Sequence, residues 1–558
     1  MPTQTAVVTV AGTTVLEEKK ESWVPMITIA LTQVLMSFNV ASLPVALGGM
    51  VKSFNVPPTT IATGIVMYSL SVAAFVMLGA KLNQRFGSLL VFRIAVLVFG
   101  AAQVLMTFSP NASAMITAQA VSGLAGAAIV PALVALIAEN YRGNQQATAL
   151  GALGSARAGA GVTAFLVGGM LGTYIGWRPV FGILIVLAAV ILLLSFRLKA
   201  DRGRPEVNID MVGVILAAAA IVLITFGFNN LNRWGLGPVR PAAPFDLFGL
   251  SPAPVMIVLG IVIGQAFVVW TRRRSEAGKT PLLALQVVTS SSERAAVVAM
   301  FAVVALEAML NFTVPLYIQI VQGRTPLSTA IAMLPFNLSV FFSAMLIVRF
   351  YATLTPRQIG RYGFIVTTVA LLWLAFVVRN NWSEIPVLIG LVVFGIGQGA
   401  LVTLVFNVLV SASPKELAND VGSLRGTTNN LANAVGTAVA GALLVSLLAG
   451  SVMRNVSETP VLTPELQAQV NLDNINFVSN DRLRSALEAT SASPEQVAAA
   501  LQVNEDARLR ALKMGLLIMA MISILAIFPA SRLPSYLPGE LPVEPPLKAI
   551  PGPSEAKA

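Results

Sequence analysis

The chain has 558 residues, of which 56% are hydrophobic and only 11% are charged, and its formal net charge is +11. Soluble domains carry about 25% charged residues, so this composition indicates a membrane protein. Because cysteine and histidine are absent, the chain cannot form disulfides, thiolate nucleophiles, Cys/His metal sites or serine–histidine triads. We therefore expect no enzyme and no cofactor or metal. We attribute the positive charge to membrane topology rather than to a nucleic-acid partner.

Fourteen apolar stretches follow one another along the chain. Each is about 20 residues long, enough to cross a bilayer as a helix, and none alternates as a barrel strand does. The fold class predicted is an all-α polytopic membrane protein with 14 transmembrane helices. The predicted spans start near Val24, Thr60, Leu89, Ala112, Ala147, Pro179, Asp210, Pro252, Ala295, Leu327, Ile359, Glu384, Val421 and Leu512.

The basic residues predict which side each loop faces. If the N-terminus is cytoplasmic, most lysines and arginines of the short loops fall on the cytoplasmic side, as the positive-inside rule requires. These residues are Lys81, Arg85, Arg93, Arg142, Arg197, Lys199, Arg202, Arg204, Arg272, Arg273, Arg274, Lys279, Arg349, Arg357, Arg361 and Lys415. The polar segment before Val24 lacks the basic start of a signal peptide. We expect a multi-pass protein of the plasma (inner) membrane with both termini in the cytoplasm.

The long polar segment before the last span is predicted to lie outside the cell and to contain short helices. Ser493-Pro494-Glu495-Gln496 is a capping box with proline at the first helical position. A helix should run from there into the last span. Thr463-Pro464-Glu465 marks another helix start, and the proline-rich tail after Arg532 is predicted to be flexible.

An internal repeat appears when the chain is compared with itself at an offset of about 271 residues. Pro44 then matches Pro315, and Gly126 matches Gly397. Gly151-Ala152-Leu153 likewise matches Gly422-Ser423-Leu424. The register holds over four spans, which predicts two parallel six-helix bundles with an inserted helix pair between them. Parallel halves around a midplane site are typical of secondary transporters that work by rocking.

This organisation divides the chain into seven segments. They are a cytoplasmic N-terminal tail (1–23), an N-terminal six-helix bundle (24–198), an inserted pair with flanking loops (199–293), the first five helices of the C-terminal bundle (294–450), an extracytoplasmic loop with short helices (451–510), the last span (511–530) and a cytoplasmic C-terminal tail (531–558).

Several motifs resemble those of the major facilitator superfamily, in particular its fourteen-span drug:proton antiporter branch. Span 1 ends in Ser42-Leu43-Pro44, and the loop after span 2 reads from Lys81 to Gly87 like the family signature Gly-x-Leu-Ala-Asp-Arg-Phe-Gly. Gly168-Gly169 followed by Trp177-Arg178-Pro179-Val180-Phe181 is similar to another family run. The resemblance implies the superfamily fold, alternating access and proton-coupled export.

The chain also departs from the family at four positions. Gln84 stands where the signature has aspartate, and Gln119 stands where span 4 of the family has arginine. Ala164-Phe165 replaces the Gly-Pro pair of the antiporter motif, and Leu35 occupies the position of an acidic residue in span 1. Gln84, Arg85 and Gly87 are therefore expected to form a gate loop without the family's carboxylate bond.

Three charged residues inside spans are candidates for transport chemistry. A charge deep in a membrane helix costs about 2.5 to 3.5 kcal/mol on insertion scales, so it indicates function by default. Glu307 in span 9 can serve in proton coupling or attract a cationic substrate. Arg157 in span 5 can pair with Glu307 or bind an anionic substrate. Each has a structural ion pair as its alternative, and Arg425 in span 13 has snorkelling as its alternative.

Neutral candidates surround these charges. Asn39, Gln33, Asn311 and Gln319 can line a cavity or join helices by hydrogen bonds. Gly151, Gly154, Gly168 and Gly169 give span 5 a small face for close helix packing, at what the family resemblance implies is a moving interface.

Three functions remain open. The first is a secondary active transporter that exports small amphipathic compounds by proton-coupled alternating access. The second is an uncoupled or differently coupled exporter of organic anions or lipids, and the third is a non-transporting membrane scaffold or sensor. The expected partners are a small-molecule substrate, the lipid bilayer and protons, with no nucleic acid, and the expected oligomeric state is a monomer.

Overall fold

A computed structural model describes residues 7–10, 13–16, 22–141, 143–199, 203–246, 248–288, 290–379, 385–411, 418–457, 480–488 and 492–535. The first half holds α1 (Val24–Phe54), α2 (Pro58–Phe86), α3 (Ser88–Thr107), α4 (Ala112–Asn140), α5 (Gly143–Tyr174) and α6 (Arg178–Ser195). The inserted pair is α7 (Met211–Trp234) and α8 (Pro252–Glu276), followed by a short 3-10 helix at Leu285–Val288.

The second half holds α9 (Ser291–Leu316) with a π-helical end at Tyr317–Val321, α10 (Pro326–Leu346) with a 3-10 end at Ile347–Ala352, α11 (Pro356–Val377), α12 (Ile385–Ser411) and α13 (Ala418–Ser457). After it come α14 (Asn480–Glu488) and α15 (Pro494–Ala530). A hairpin of two short strands, Val7–Val10 and Thr13–Leu16, precedes the bundle. It is an exception to the helical prediction among the described residues.

The prediction of fourteen membrane helices agrees with this architecture. Thirteen helices of the described residues have the length and hydropathy of a span. The remaining long helix is α5, whose 32 residues exceed the roughly 20 needed to cross the hydrocarbon core. Its many glycines and Arg157 lower its hydropathy, but it packs on α1 and α10 inside the bundle. All predicted span starts except the last lie within four residues of the observed helix starts.

The helix predicted to run from Ser493 into the last span is present. Helix α15 starts at Pro494 and continues without a break to Ala530, so the predicted span from Leu512 is its second part. The predicted capping box at Ser493 is present: the Gln496 N–H donates to Ser493 Oγ, and the Ser493 N–H donates to Gln496 Oε1. The boundary drawn between 451–510 and 511–530 therefore falls inside one helix. Thr463 lies outside the described residues.

The first residues of the predicted C-terminal tail contact α11. Leu533 is fully buried, and its carbonyl accepts a hydrogen bond from Arg357 Nε at 3.1 Å. The Arg357 N–H donates to the carbonyl of Pro534, and Arg361 Nε donates to Ser531 Oγ. The start of the tail thus docks on the first turns of α11, while the rest of the predicted tail lies outside the described residues.

Two names are useful for the ends of the bundle. The proximal end holds Ser22 and Pro534, and the distal end holds the connections α1–α2 and α9–α10. The two halves meet along α2 and α13 and along α5 and α10, whereas α7 of the inserted pair packs on both α2 and α13. Helix α8 packs mainly on α7 and leaves much of its apolar surface exposed, as expected of a helix that faces lipid.

Candidate functional site

Glu307 lies in α9 within a run of buried apolar neighbours, from Val303 to Leu306 and from Ala308 to Leu310. Its own side chain is only half-buried. Within the described part of the chain it forms neither a hydrogen bond nor a salt bridge. A carboxylate inside an apolar helix without a fixed partner is free to exchange a proton or a ligand.

Arg157 of α5 is the charge that reaches Glu307. Its positive charge interacts electrostatically with Glu307 of α9, Arg425 of α13 and Tyr68 of α2. The Arg157 side chain is exposed, and a Cβ at Gly154, Gly159 or Gly161 of the same helix would meet no atom within 4 Å. Arg157 therefore interacts electrostatically with residues of three other helices, from both halves, and open space lies beside its own helix.

Arg425 and Tyr68 complete this cluster from α13 and α2. Arg425 is half-buried, and Tyr68 is only 4% exposed. A hydrogen bond of 2.7 Å from Asn433 Nδ2 to Ser69 Oγ holds α13 against α2 next to them. With two guanidinium groups and one carboxylate, the cluster carries a net formal charge of +1 when all three are ionised.

The neutral amides predicted to line the same cavity are distributed differently. Asn39 is fully buried and exchanges two hydrogen bonds with Gln119 of α4, at 3.0 and 3.3 Å. Gln33 donates to Ser37 one turn along its own helix at 2.8 Å. Asn311, by contrast, has a buried Oδ1 without a partner and lies one turn after Glu307. Of these three amides, Asn311 is the one placed to join the charged cluster.

Gln319 lies at the distal end, away from the charges. Its Nε2 donates to the Pro44 carbonyl at 3.0 Å, and its Oε1 accepts from the Gly48 N–H at 2.7 Å. Both partners belong to α1 of the other half, so Gln319 joins the halves.

The predicted gate loop is held by main-chain contacts. Gly87 ends α2 with a φ of 90°, a conformation that favours glycine, and its N–H donates to the Asn83 carbonyl. The Gln84 carbonyl accepts from the Arg204 N–H at 2.9 Å. A Cβ at Gly203 would overlap the Arg85 carbonyl, so the chain after α6 lies directly against the loop. Arg85 places its guanidinium 5.6 Å from the Phe86 ring centroid.

The glycines of α5 divide into two groups. Gly169 lies so close to α10 that a Cβ there would come within 2.7 Å of Ala330 Cβ and 3.2 Å of Leu327 Cα. Gly168 is at ordinary contact distance from α1 and α6. Gly154 meets no atom within 4 Å, so it does not serve as a packing glycine in this conformation, and Gly151 lies within α5 near its proximal end.

Two further residues of interest, Tyr68 and Arg508, were not among the candidates predicted from the sequence. Tyr68 is an uncharged aromatic residue in an apolar span, so no local pattern marks it. Arg508 lies in α15 before the span and is fully buried, with Nε and Nη2 unpaired. Its Nη1 donates to Asn480 Oδ1 of α14 at 3.1 Å. An arginine in the helix that the Ser493 capping box starts, ahead of the last span, could have been noted from the sequence.

Two six-helix halves in parallel orientation around charged residues define a membrane transporter. The sequence profile of the Major Facilitator Superfamily matches residues 29–437. The chain belongs to this superfamily, which confirms the predicted fold and a transporter rather than an enzyme.

Two similar proteins are named as an export protein and an efflux pump. The chain is 25% identical to a tetracenomycin C resistance and export protein of Streptomyces glaucescens over 76% of this chain and 74% of that protein. It is 23% identical to the multidrug efflux pump LfrA of Mycolicibacterium smegmatis over 80% of this chain and 84% of that protein. These relatives agree with the resemblance to the drug antiporter branch.

Solved structures support the fold. A bacterial homologue of the lysosomal transporter Spinster superposes with a TM-score of 0.57 at 15% identity, covering 90% of this chain and 96% of that chain. A peptide transporter in complex with sulfate gives 0.58 at 14% identity, covering 92% and 96%.

Proposed function

We propose that this transporter exports small amphipathic compounds in exchange for protons, with Glu307 as the coupling group. The observation that carries the proposal is the half-buried Glu307, which has no salt bridge among the described residues and interacts electrostatically with the exposed Arg157. A coupling carboxylate has to be free of a permanent partner, and this arrangement supports that role for Glu307.

The charges suggest how proton and substrate compete. With Glu307 ionised, its negative charge balances one of the two guanidinium groups in the cluster. Proton binding removes that charge and leaves the exposed Arg157 without the carboxylate of Glu307. A positively charged substrate is then disfavoured at Glu307, and it is favoured again once the proton has left. Binding of a proton and of a cationic substrate would thus exclude each other, as exchange requires.

The proposed setting is the plasma (inner) membrane, with the proximal end in the cytoplasm. Support comes from the arginines and lysines of the proximal loops, which follow the positive-inside rule. Export is the proposed direction because the relatives include an export protein and an efflux pump. The proposed working unit is a monomer, since one chain contains both halves.

The same cluster favours a second candidate, an exporter of organic anions or anionic lipids. The exposed guanidinium group of Arg157 can bind carboxylate, sulfonate or phosphate groups. In this case the anion binds Arg157 directly, and Glu307 is not required to release a proton.

Proton movement in proteoliposomes that contain a pH dye separates the candidates. The wild-type protein, Glu307→Gln and Glu276→Gln are compared across a panel of lipophilic cations and organic anions. Glu276 is the matched control, because its carboxylate pairs with Arg272 at 3.0 Å on the exposed end of α8.

The first candidate predicts cation-driven proton flux in the wild type and in Glu276→Gln that falls to the level of empty liposomes in Glu307→Gln. Flux that survives in Glu307→Gln would rule out coupling at this residue. Anion transport that is insensitive to an uncoupler would favour the second candidate. Absence of any transport by the folded wild-type protein would favour the scaffold.

A further inference from the structure

The side-chain amide of Gln319 forms two hydrogen bonds with the backbone of α1. In an α-helix, the N–H of one residue donates to the carbonyl four residues earlier. The Pro44 carbonyl and the Gly48 N–H are such a pair, and each is hydrogen-bonded to Gln319, at 3.0 and 2.7 Å. One side chain of the second half therefore bridges the two members of a backbone pair in a helix of the first half.

The local sequence allows Gln319 to approach α1 this closely. Gly48 has no side chain, and a Cβ there would come within 2.8 Å of Gln319 Oε1 and 3.1 Å of Gln319 Cβ. On the other side, α9 widens into a π-helical turn at Tyr317–Val321, directly after Pro315. Single π-turns inside helices frequently mark functional positions. Gln319 itself is only 4% exposed, so water does not compete for its bonds.

The contact also lies on the internal repeat. Gly48 and Gln319 are 271 residues apart, the same offset that matches Pro44 with Pro315. Equivalent positions of the two halves thus contact each other, as happens where a pseudo-twofold axis passes between them. A bond at the axis acts on the relation between the halves and little on either half alone.

We propose that Gln319 is a positioning residue that latches the distal end of the transporter closed. Its two hydrogen bonds exist only while α1 and the end of α9 are in contact, so they stabilise the distally closed state and break when the distal end opens. The inference needs only the alternating movement of the superfamily and does not depend on protons or on the substrate.

The test measures the distance between the halves at the distal end. The chain has no cysteine, so spin labels can be attached at Lys52→Cys and Ile331→Cys, two exposed positions on α1 and α10. Distance distributions by pulsed electron resonance in lipid nanodiscs then give the populations of closed and open distal ends.

Three variants of this labelled protein are compared. Gln319→Leu removes the amide, and Gly48→Ala blocks its insertion while leaving Gln319 in place. Gln103→Leu is the matched control, because Gln103 is a fully buried glutamine whose bond to Ser122 at 2.9 Å stays within one half.

The latch predicts that Gln319→Leu and Gly48→Ala each raise the ratio of open to closed distal ends by roughly tenfold, the effect of two interhelical hydrogen bonds in a membrane. The double variant should show little more than either single variant, because both remove one contact. Gln103→Leu should leave the ratio unchanged.

Unchanged distances in Gly48→Ala, whether or not Gln319→Leu folds, would overturn the latch. An equal shift in Gln103→Leu would overturn it as well, since the cause would then be loss of any buried amide. Neither result depends on whether Glu307 couples protons.

Discussion

The two ends of α5 use the same residue type in opposite ways. At the distal end, Gly169 allows α10 to approach so closely that a Cβ would strike Ala330, and the Leu327 N–H donates to Thr173 Oγ1 at 3.0 Å. In the proximal half, Gly154 and Gly159 have no atom within 4 Å of a Cβ position, and Arg157 is exposed. A glycine-rich helix face therefore indicates that another helix can pack closely against it. Whether a helix does so depends on the conformational state of the transporter.

This contrast describes one state of an alternating transporter, with the distal end packed and space beside the proximal half of α5. Small residues suit a surface that has to pack and separate repeatedly, because few interdigitated side chains need to be withdrawn. The charges lie on the side that has space. Under the proposed orientation, Arg157 and Glu307 are reachable from the cytoplasm.

The largest effect is expected for chemical labelling along α5. Gly159→Cys should react with a membrane-impermeant maleimide applied from the proximal side at least about tenfold faster than Ala160→Cys, because Gly159 is exposed whereas Ala160 is 2% exposed. A thiol reacts as the thiolate, which needs water. If neither cysteine reacts in folded protein, the space beside Gly159 is filled with lipid and the contrast between the two ends is wrong.

A smaller effect is expected for the same substitution at two places on α5. Gly159→Ala should stabilise the protein by up to about 1 kcal/mol, the helix propensity gained where no neighbour is touched. Gly169→Ala should destabilise it, because overpacking costs about 1 to 3 kcal/mol and Leu327 Cα and the Pro326 carbonyl lie 3.2 Å from the new Cβ. Thermal unfolding in detergent measures both, and equal melting shifts would contradict the division of α5.

The sequence predicted the spans well because hydropathy is a local property. Thirteen of the fourteen predicted starts fall within four residues of a helix start, and the exception, α15, begins at a capping signal that was itself recognised. The pairing of Glu307 with Arg157 was considered from sequence alone, since charges buried in spans are few. Their electrostatic interaction relates α5 of one half to α9 of the other.

What the sequence could not supply is which neutral side chains meet. Gln319 was a candidate for the cavity, but its side chain is hydrogen-bonded to the backbone of α1. This arrangement depends on a π-turn and on Gly48, which is 271 residues away in the sequence. Asn39 and Gln119 bond across 80 residues of sequence. Gln119 stands where the family has arginine, so its neutral amide satisfies a buried asparagine instead of carrying a charge.

The smallest effect on the distance between the halves is expected for this Asn39–Gln119 pair, which joins α1 to α4 inside one half. Asn39→Leu should lower the free energy of unfolding by about 1 to 3 kcal/mol, because it leaves the buried Gln119 amide without its partner. The double variant with Gln119→Leu should recover part of that loss, as a double-mutant cycle would show. Distal distances should stay unchanged in both variants, since the pair does not span the two halves. An opening of the distal end in Asn39→Leu would mean that packing within one half controls the distal closure. The contrast between the two ends of α5 would then reflect the stability of one half rather than the contact between the two halves.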